Sequence, residues 1–262
     1  MNTSLSGKRA LVCGSTQGIG RACAHELALL GASVTLAARD AARLTAVASD
    51  LPRPQHQHHD TIAVDLSNPR AVGDIINQRV SAGATWQILI TNTGGPPAGA
   101  MLDASLDQLT KAFESLLLTP HTLAQLLVPG MKTANYGRII NIASTSVKQP
   151  IPNLGLSNAI RAAVANWAKT LSLELASFGI TVNNVLPGYT DTARLGELFS
   201  AKAAKTGRSQ VDIRNETIAS IPAGRLGLPE EIAAAVAFLA TPAAAYVNGI
   251  NMPVDGGRTA TL

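Results

Sequence analysis

Apolar residues in this chain come in short unbroken runs, each closed by glycine, asparagine or a charged residue and followed by a longer amphipathic stretch. Such runs read as strands buried on both faces, and apolar residues recurring three and four apart read as helices. Strands are predicted over 10–13, 33–38, 62–66, 86–91, 138–142 and 180–186, with a last one within 250–257. Helices are predicted from the glycine-rich stretch after the first strand up to Gly31, over 41–50, 69–82, 106–131 and 155–178, and from Pro229 onward. Asp40 stands where it can cap the second helix, and Pro120 where it can bend the long one. The segment 189–222 is polar and helical without strand character, which makes it a cover over whatever the sheet binds. Strands alternating with helices predict an α/β architecture: one domain over 1–262, built on a doubly wound parallel sheet of about seven strands, with 189–222 as a small helical lid.

The turn after the first strand changes this picture from fold to chemistry. Gly14, Gly18 and Gly20 remove the β-carbons that would keep a diphosphate off the backbone, and the helix that follows offers unpaired N–H groups with a partial positive charge. The spacing is Gly-x-x-x-Gly-x-Gly. A dinucleotide seat and a turn made of glycine for packing alone both fit that spacing. The residue just after the second strand is where a dinucleotide fold inspects the adenosine ribose, and here it is Arg39. A guanidinium pairs with a 2′-phosphate, so NADP(H) is expected over NAD(H); the plain alternative is an arginine solvating a strand end. Asp65, near the end of the third strand, is placed to meet an adenine amino group, and the Asn92–Gly94 turn after the fourth strand should face the first turn across the crevice where the winding reverses.

Composition narrows the partners. The chain is 46% hydrophobic, 15% charged and 3% aromatic, which fits a core of small aliphatic residues under helices. Its net charge of +4 comes without a Lys/Arg run, so an anionic ligand is favoured and nucleic acid is not expected. Cys13 and Cys23 fall on an apolar strand and helix and read as core residues of a protein in a reducing, cytoplasmic setting. No membrane span is expected. His56, His58 and His59 lie in a Pro-flanked polar segment that reads as a solvated loop, and no metal is expected.

Taken together, Gly14–Gly20, Asn92-Thr93-Gly94-Gly95, Ile142-Ala143-Ser144, the run 173–183, Pro187-Gly188, 221–233 and Val254-Asp255-Gly256-Gly257 resemble the short-chain dehydrogenase/reductase family, and within it the 3-oxoacyl-acyl-carrier-protein reductases. The resemblance implies a Rossmann fold, a homotetramer formed through the two long helices and the last strand, and hydride transfer between NADP(H) and a small carbonyl or alcohol substrate. It implies cofactor contacts from Gly14, Ser15, Gln17, Gly18, Ile19, Gly20, Arg39, Asp65, Leu66, Asn92, Gly94, Arg161, Pro187, Gly188 and Thr190. The family pattern also implies an Asn-Ser-Tyr-Lys tetrad. Ser144 matches its serine, but the tyrosine, lysine and asparagine positions fall on Ser157, Arg161 and Leu116, and no Tyr-x-x-x-Lys occurs in the chain. A phenol with a pKa near 10 can be pulled toward neutrality by a nearby cation, whereas a serine hydroxyl is a poor acid unaided. Two readings therefore stand: an oxidoreductase working through Ser144, Ser157 and Arg161, or a catalytically impaired nucleotide-binding homologue acting as scaffold or redox sensor. Tyr189, directly after Pro187-Gly188, is a candidate for a displaced phenol or for packing in the substrate loop.

Overall fold

The computed structural model describes residues 1–261. Seven parallel strands form one sheet in the order β3-β2-β1-β4-β5-β6-β7. They are β1 (Arg9–Cys13), β2 (Ser33–Ala38), β3 (Asp60–Ala63), β4 (Ile88–Thr91), β5 (Gly137–Ile142), β6 (Ile180–Pro187) and β7 (Asn251–Val254). The helices that cross over between them are α1 (Gly18–Leu29), α2 (Ala41–Asp50), α3 (Pro69–Ser81), α4 (Leu106–Phe113), α5 (Thr119–Thr133), α6 (Gly155–Leu175) and α9 (Pro229–Ala240), with α7 (Ala193–Thr206) and α8 (Gln210–Ala219) inserted after β6. One face of the sheet is covered by Cys23, Leu27, Leu44, Ile232 and Val236 from α1, α2 and α9, and the other by Val72, Ile76, Leu123, Leu127 and Ala168 from α3, α5 and α6. The central strands β1, β4, β5 and β6 are buried on both sides, which is why they read as largely apolar runs. The winding reverses between β1 and β4, and the crevice beyond their carboxyl ends is where such a sheet binds ligands.

Three expectations shift. The third strand is Asp60–Ala63 rather than 62–66, because it pairs in register with Thr35–Ala38 of β2 and that partner ends there; Asp65 and Leu66 thus lie in the turn beyond it. The fourth strand begins at Ile88, and Trp86 instead sits buried with its Nε1 donating to Thr35 Oγ1 at 2.9 Å. The long helix is divided just before Pro120 into α4 and α5. A π-helical turn (Glu114–Leu118) absorbs the ring, whose missing N–H and clash with the carbonyl four residues back would break regular α geometry, and Pro120 enters the first turn of α5. Asp40 does cap α2, accepting from Arg43 N at 3.0 Å. The histidine segment is more anchored than a solvated loop. Val34 N donates to His59 Nδ1 at 3.1 Å, so His59 Nε2 carries the proton toward Pro52 O, also at 3.1 Å, and burial lowers the pKa of His59.

Candidate functional site

The glycine turn is held against the turn after β4 with no room for a side chain. Gly14 has φ +59°, and a β-carbon on it would overlap the carbonyl oxygen of Asn92 and lie 2.8 Å from Asn92 Nδ2. One on Gly20 would overlap Gly14 O and lie 2.7 Å from the same amide, which donates to Gly14 O at 3.2 Å. This bond ties β1 to β4 across the switch point. Behind the turn, Ser15 is fully buried and its hydroxyl has no partner among the described residues. Gln17 occupies the N-cap of α1 in extended conformation without a side-chain bond to the helix, and the first turn carries no acid. Backbone N–H donors at the start of α1 are therefore unspent, next to a buried hydroxyl that also lacks a partner. These features fit a diphosphate lying across the turn.

At the far side of β2, the two charged residues divide. The Asp40 carboxylate is spent on the start of α2 and on Arg43 Nε at 3.4 Å, while Arg39 is exposed and makes no ion pair among the described residues. An acid is thus turned away from the adenosine position and a cation left facing solvent there. Asp65 is exposed, and Ser67 N and Ser67 Oγ both donate to its Oδ1 at 3.0 and 2.8 Å; these bonds, led by the backbone one, lower its pKa, with Arg39 assisting. Leu66 is buried beside it, its carbonyl accepting from Thr119 Oγ1 at 2.9 Å.

On the opposite side of the crevice, Ser144 follows β5 and its Oγ accepts from Ser146 N at 3.0 Å. Ser157 and Arg161 stand one turn apart on α6, and Arg161 Nε donates to Ser157 Oγ at 3.2 Å. Arg161 Nη1 donates to the carbonyls of Ile142 and Ala143, both at 2.8 Å, which carries the guanidinium to the end of β5 beside Ser144. It has no acid within ion-pair distance among the described residues, and burial lowers its pKa to about 10. Both serine hydroxyls accept from the protein, so each keeps its own hydrogen to give elsewhere. Leu116 is buried against Ala112 and Ile160 and offers no polar group. Tyr189 turns away from these groups: its ring packs with the lid cluster and its hydroxyl accepts from Arg258 Nη2 at 3.4 Å, with the Arg258 guanidinium 4.4 Å from the ring centre. Packing, not a displaced acid, is what its surroundings provide.

Pro187 ends β6 and Gly188 follows it. A β-carbon on Gly188 would lie 2.6 Å from Asp255 Cα, so the 187–188 turn nests on the turn after β7. Thr190 is buried, its hydroxyl donating to Gly188 O at 3.2 Å, and Thr192 caps α7 while its methyl lies 3.3 Å from where a Gly18 β-carbon would be. The segment leading into α7 therefore lies against the glycine turn. Gly94 lies in the long connection after β4, which is pinned at Gly99 by bonds to Asn153 O and from Gly155 N, at 2.7 and 3.0 Å, at the start of α6. Two features have no mark in the apolar pattern. Thr91, Asn141, Asn184 and Asn251 form an unbroken row of buried side-chain bonds (2.7, 2.8 and 2.8 Å) across β4 to β7, and Arg194 of α7 reaches back to the carbonyls of Gly95 and Pro96 at 3.4 and 3.1 Å. No group of three or more His, Cys, Asp or Glu among the described residues is placed to hold a metal ion, and no helix is long and apolar enough to cross a membrane.

Residues 14–259 match the family model described as enoyl-(acyl carrier protein) reductase. The chain is 33% identical over 256 residues to the 3-oxoacyl-[acyl-carrier-protein] reductase FabG of Vibrio cholerae, an alignment covering 97% of this chain and 98% of that one. Among solved structures it is similar to L-sorbose reductase from Gluconobacter frateurii complexed with NADPH and L-sorbose (TM-score 0.92, 30% identity, all of both chains). It is also similar to a 3-oxoacyl (acyl-carrier-protein) reductase from Agrobacterium tumefaciens C58 with NADP bound (TM-score 0.86, 27% identity, 97% of this chain and 95% of that one).

Proposed function

Because the chain belongs to the short-chain dehydrogenase/reductase family, we propose that it is an NADP(H)-dependent oxidoreductase, acting on a small carbonyl or alcohol substrate of the 3-oxoacyl kind. The observation that carries this reading is the Gly14–Gly20 turn, which joins a helix start without a side-chain cap to a buried Ser15 hydroxyl that has no partner among the described residues, on glycines packed too closely to carry side chains. Gln17, Gly18 and Ile19 hold the diphosphate through backbone N–H groups, Arg39 pairs with the 2′-phosphate, Asp65 and Leu66 border the adenine, and Asn92, Gly94, Pro187, Gly188 and Thr190 border the nicotinamide half. When bound, NADPH supplies a hydride to the carbonyl carbon.

The chain's own residues handle the oxygen. The Ser144 and Ser157 hydroxyls donate to the oxyanion as it forms, and Arg161, whose Nε already holds Ser157, keeps a positive charge behind them. A guanidinium does not release its proton near neutrality, so the proton that completes the alcohol comes from water. General acid–base catalysis supplies about 10²–10⁴-fold, roughly 3–5 kcal/mol of barrier, and Ser157 in place of a phenol forgoes part of it. Turnover is accordingly modest, with oxyanion stabilisation as its main source.

Residues 189–222 act as the substrate lid of a single-domain protein. A homotetramer is supported by apolar side chains left exposed on α4 and α6, among them Leu106 at 83% and Leu173 at 71%. A cytoplasmic setting is supported by Cys13 and Cys23, both free and buried.

Calorimetry and NADPH oxidation test the reading. Micromolar binding of NADPH is expected, with Arg39→Asp weakening it about tenfold to hundredfold. Reduction of a 3-oxoacyl thioester, diketone, aldehyde or free 2-oxo or 3-oxo acid should fall about 10²-fold in Ser144→Ala. If NADPH binds and no carbonyl in that panel is reduced, the enzyme reading gives way to the nucleotide-binding homologue.

A further inference from the structure

Arg161 is a largely buried cation that the protein leaves without a carboxylate. Its fork of donors is only partly used: Nε holds Ser157 and Nη1 holds two backbone carbonyls, while Nη2 has no bond among the described residues and points at the turn after β4. There it meets a second guanidinium. Arg161 Nη2 and Arg194 Nη2 are each 4.0 Å from the point a β-carbon on Gly95 would occupy, and around Gly94 nothing lies within 4 Å of the corresponding point. Arg194 is held there from the lid by the carbonyls of Gly95 and Pro96, and its Nη1 pairs on the outer side with Glu197 at 3.3 Å. Two like charges thus converge on one glycine turn over open space, and the acid present serves only the outer one.

We propose that the substrate carries a carboxylate close to its reactive carbonyl, that the unspent Nη2 of Arg161 donates to it beside Gly95, and that Arg194, whose own Nη2 stays on the Gly95 and Pro96 carbonyls, adds a second positive charge next to it. This names the substrate class of the oxidoreductase reading and rests on it. A guanidinium edge matches a carboxylate in charge and in geometry. The carbonyl oxygen sits at the serine hydroxyls, and Arg161 touches Ser157 through the same planar group that offers Nη2. The carbonyl and carboxylate are therefore only a few bonds apart, as in 2-oxo and 3-oxo acids. The reaction balances as a ketone reduction: the carbon gains a hydride from NADPH, the oxygen gains a proton from water, the products are a hydroxy acid and NADP⁺, and the carboxylate is unchanged. Gly94 and Gly95 keep the turn bare of side chains so that the ligand can lie between the two arginines.

The test compares 2-oxo and 3-oxo acids with their own methyl esters. For the intact protein, kcat/KM for the acid should exceed that for the ester at least tenfold. Arg194→Gln should raise KM for the acid about tenfold while leaving kcat and the ester unchanged, and Arg194→Lys should recover part of the loss. In parallel, calorimetry on the complex with NADP⁺ should show the hydroxy acid binding at least tenfold tighter than its ester, a difference that Arg194→Gln removes. Equal handling of acid and ester in both assays overturns the proposal, and so does an equal loss for both in Arg194→Gln, which would make Arg194 only a strap for the lid. Selective, Arg194-dependent binding of the hydroxy acid without turnover of any carbonyl would keep the carboxylate site and remove the oxidoreductase reading instead.

Discussion

Arg161 is a charge the fold holds in an unfavourable place, and its behaviour with pH follows from that. Burial alone lowers it to about 10. Below about 10 it is charged in both folded and unfolded chains. Above about 10 the unfolded chain still holds a proton that the folded one has lost, so this group's contribution to stability rises with pH there while the site loses its cation. Turnover should consequently stay level through neutral pH as far as this group is concerned and fall as pH climbs through about 10. In Arg161→Met the pH–rate profile of kcat/KM should be low throughout and lack that limb. His59 has the ordinary acid-side sign. Its pKa is lowered by burial, so as pH falls through 6.5 the unfolded chain takes up a proton that the folded chain resists, and stability is lost.

Elements matter here for where they end. β1 and β4 deliver Gly14 and Asn92 to the same spot, β5 delivers Ser144, and α6 delivers Ser157 and Arg161 from its first two turns. The strand ends are kept level by the row from Thr91 through Asn141 and Asn184 to Asn251, a set of polar residues in strands that otherwise read as purely apolar. Gly14→Ala tests how closely two elements must meet. It places a methyl group on the Asn92 carbonyl at φ +59°, and strain of that kind costs about 1–3 kcal/mol. The melting temperature should drop by roughly 2–4 °C per kcal/mol and NADPH affinity should be lost, whereas Gly196→Ala, with open space around it, should change neither. A Gly14→Ala protein that binds NADPH normally would show that the close approach does not shape the seat.

At the scale of the whole molecule, the sheet is covered on both faces and yet α4 and α6 carry apolar side chains in solvent. Leu102, exposed at 98%, and Tyr246, fully exposed, are further apolar side chains in solvent. Sedimentation should give a species near four times the 27.1 kDa chain mass. Leu106→Glu with Leu173→Glu should shift it to smaller species without unfolding it. A wild-type protein that sediments near 27.1 kDa at micromolar concentration would remove the tetramer.

Local chemistry was enough for much of this. Unbroken apolar runs announce strands buried on both faces, Asp40 announces a cap, and three glycines at a strand-to-helix turn announce a close backbone approach, because each signal depends only on neighbours in the chain. Contacts across the chain were not legible. The end of β3 depends on where β2 stops, the π-helical turn on how Pro120 is accommodated, and the fate of Tyr189 on Arg258. The same holds for the meeting of Arg161 and Arg194 at Gly95, residues separated by a strand and most of a helix along the chain. Sequence spacing conveys which group each residue carries, but charge without a counterion is a property of three-dimensional surroundings, and only folding decides which cations are left unpaired.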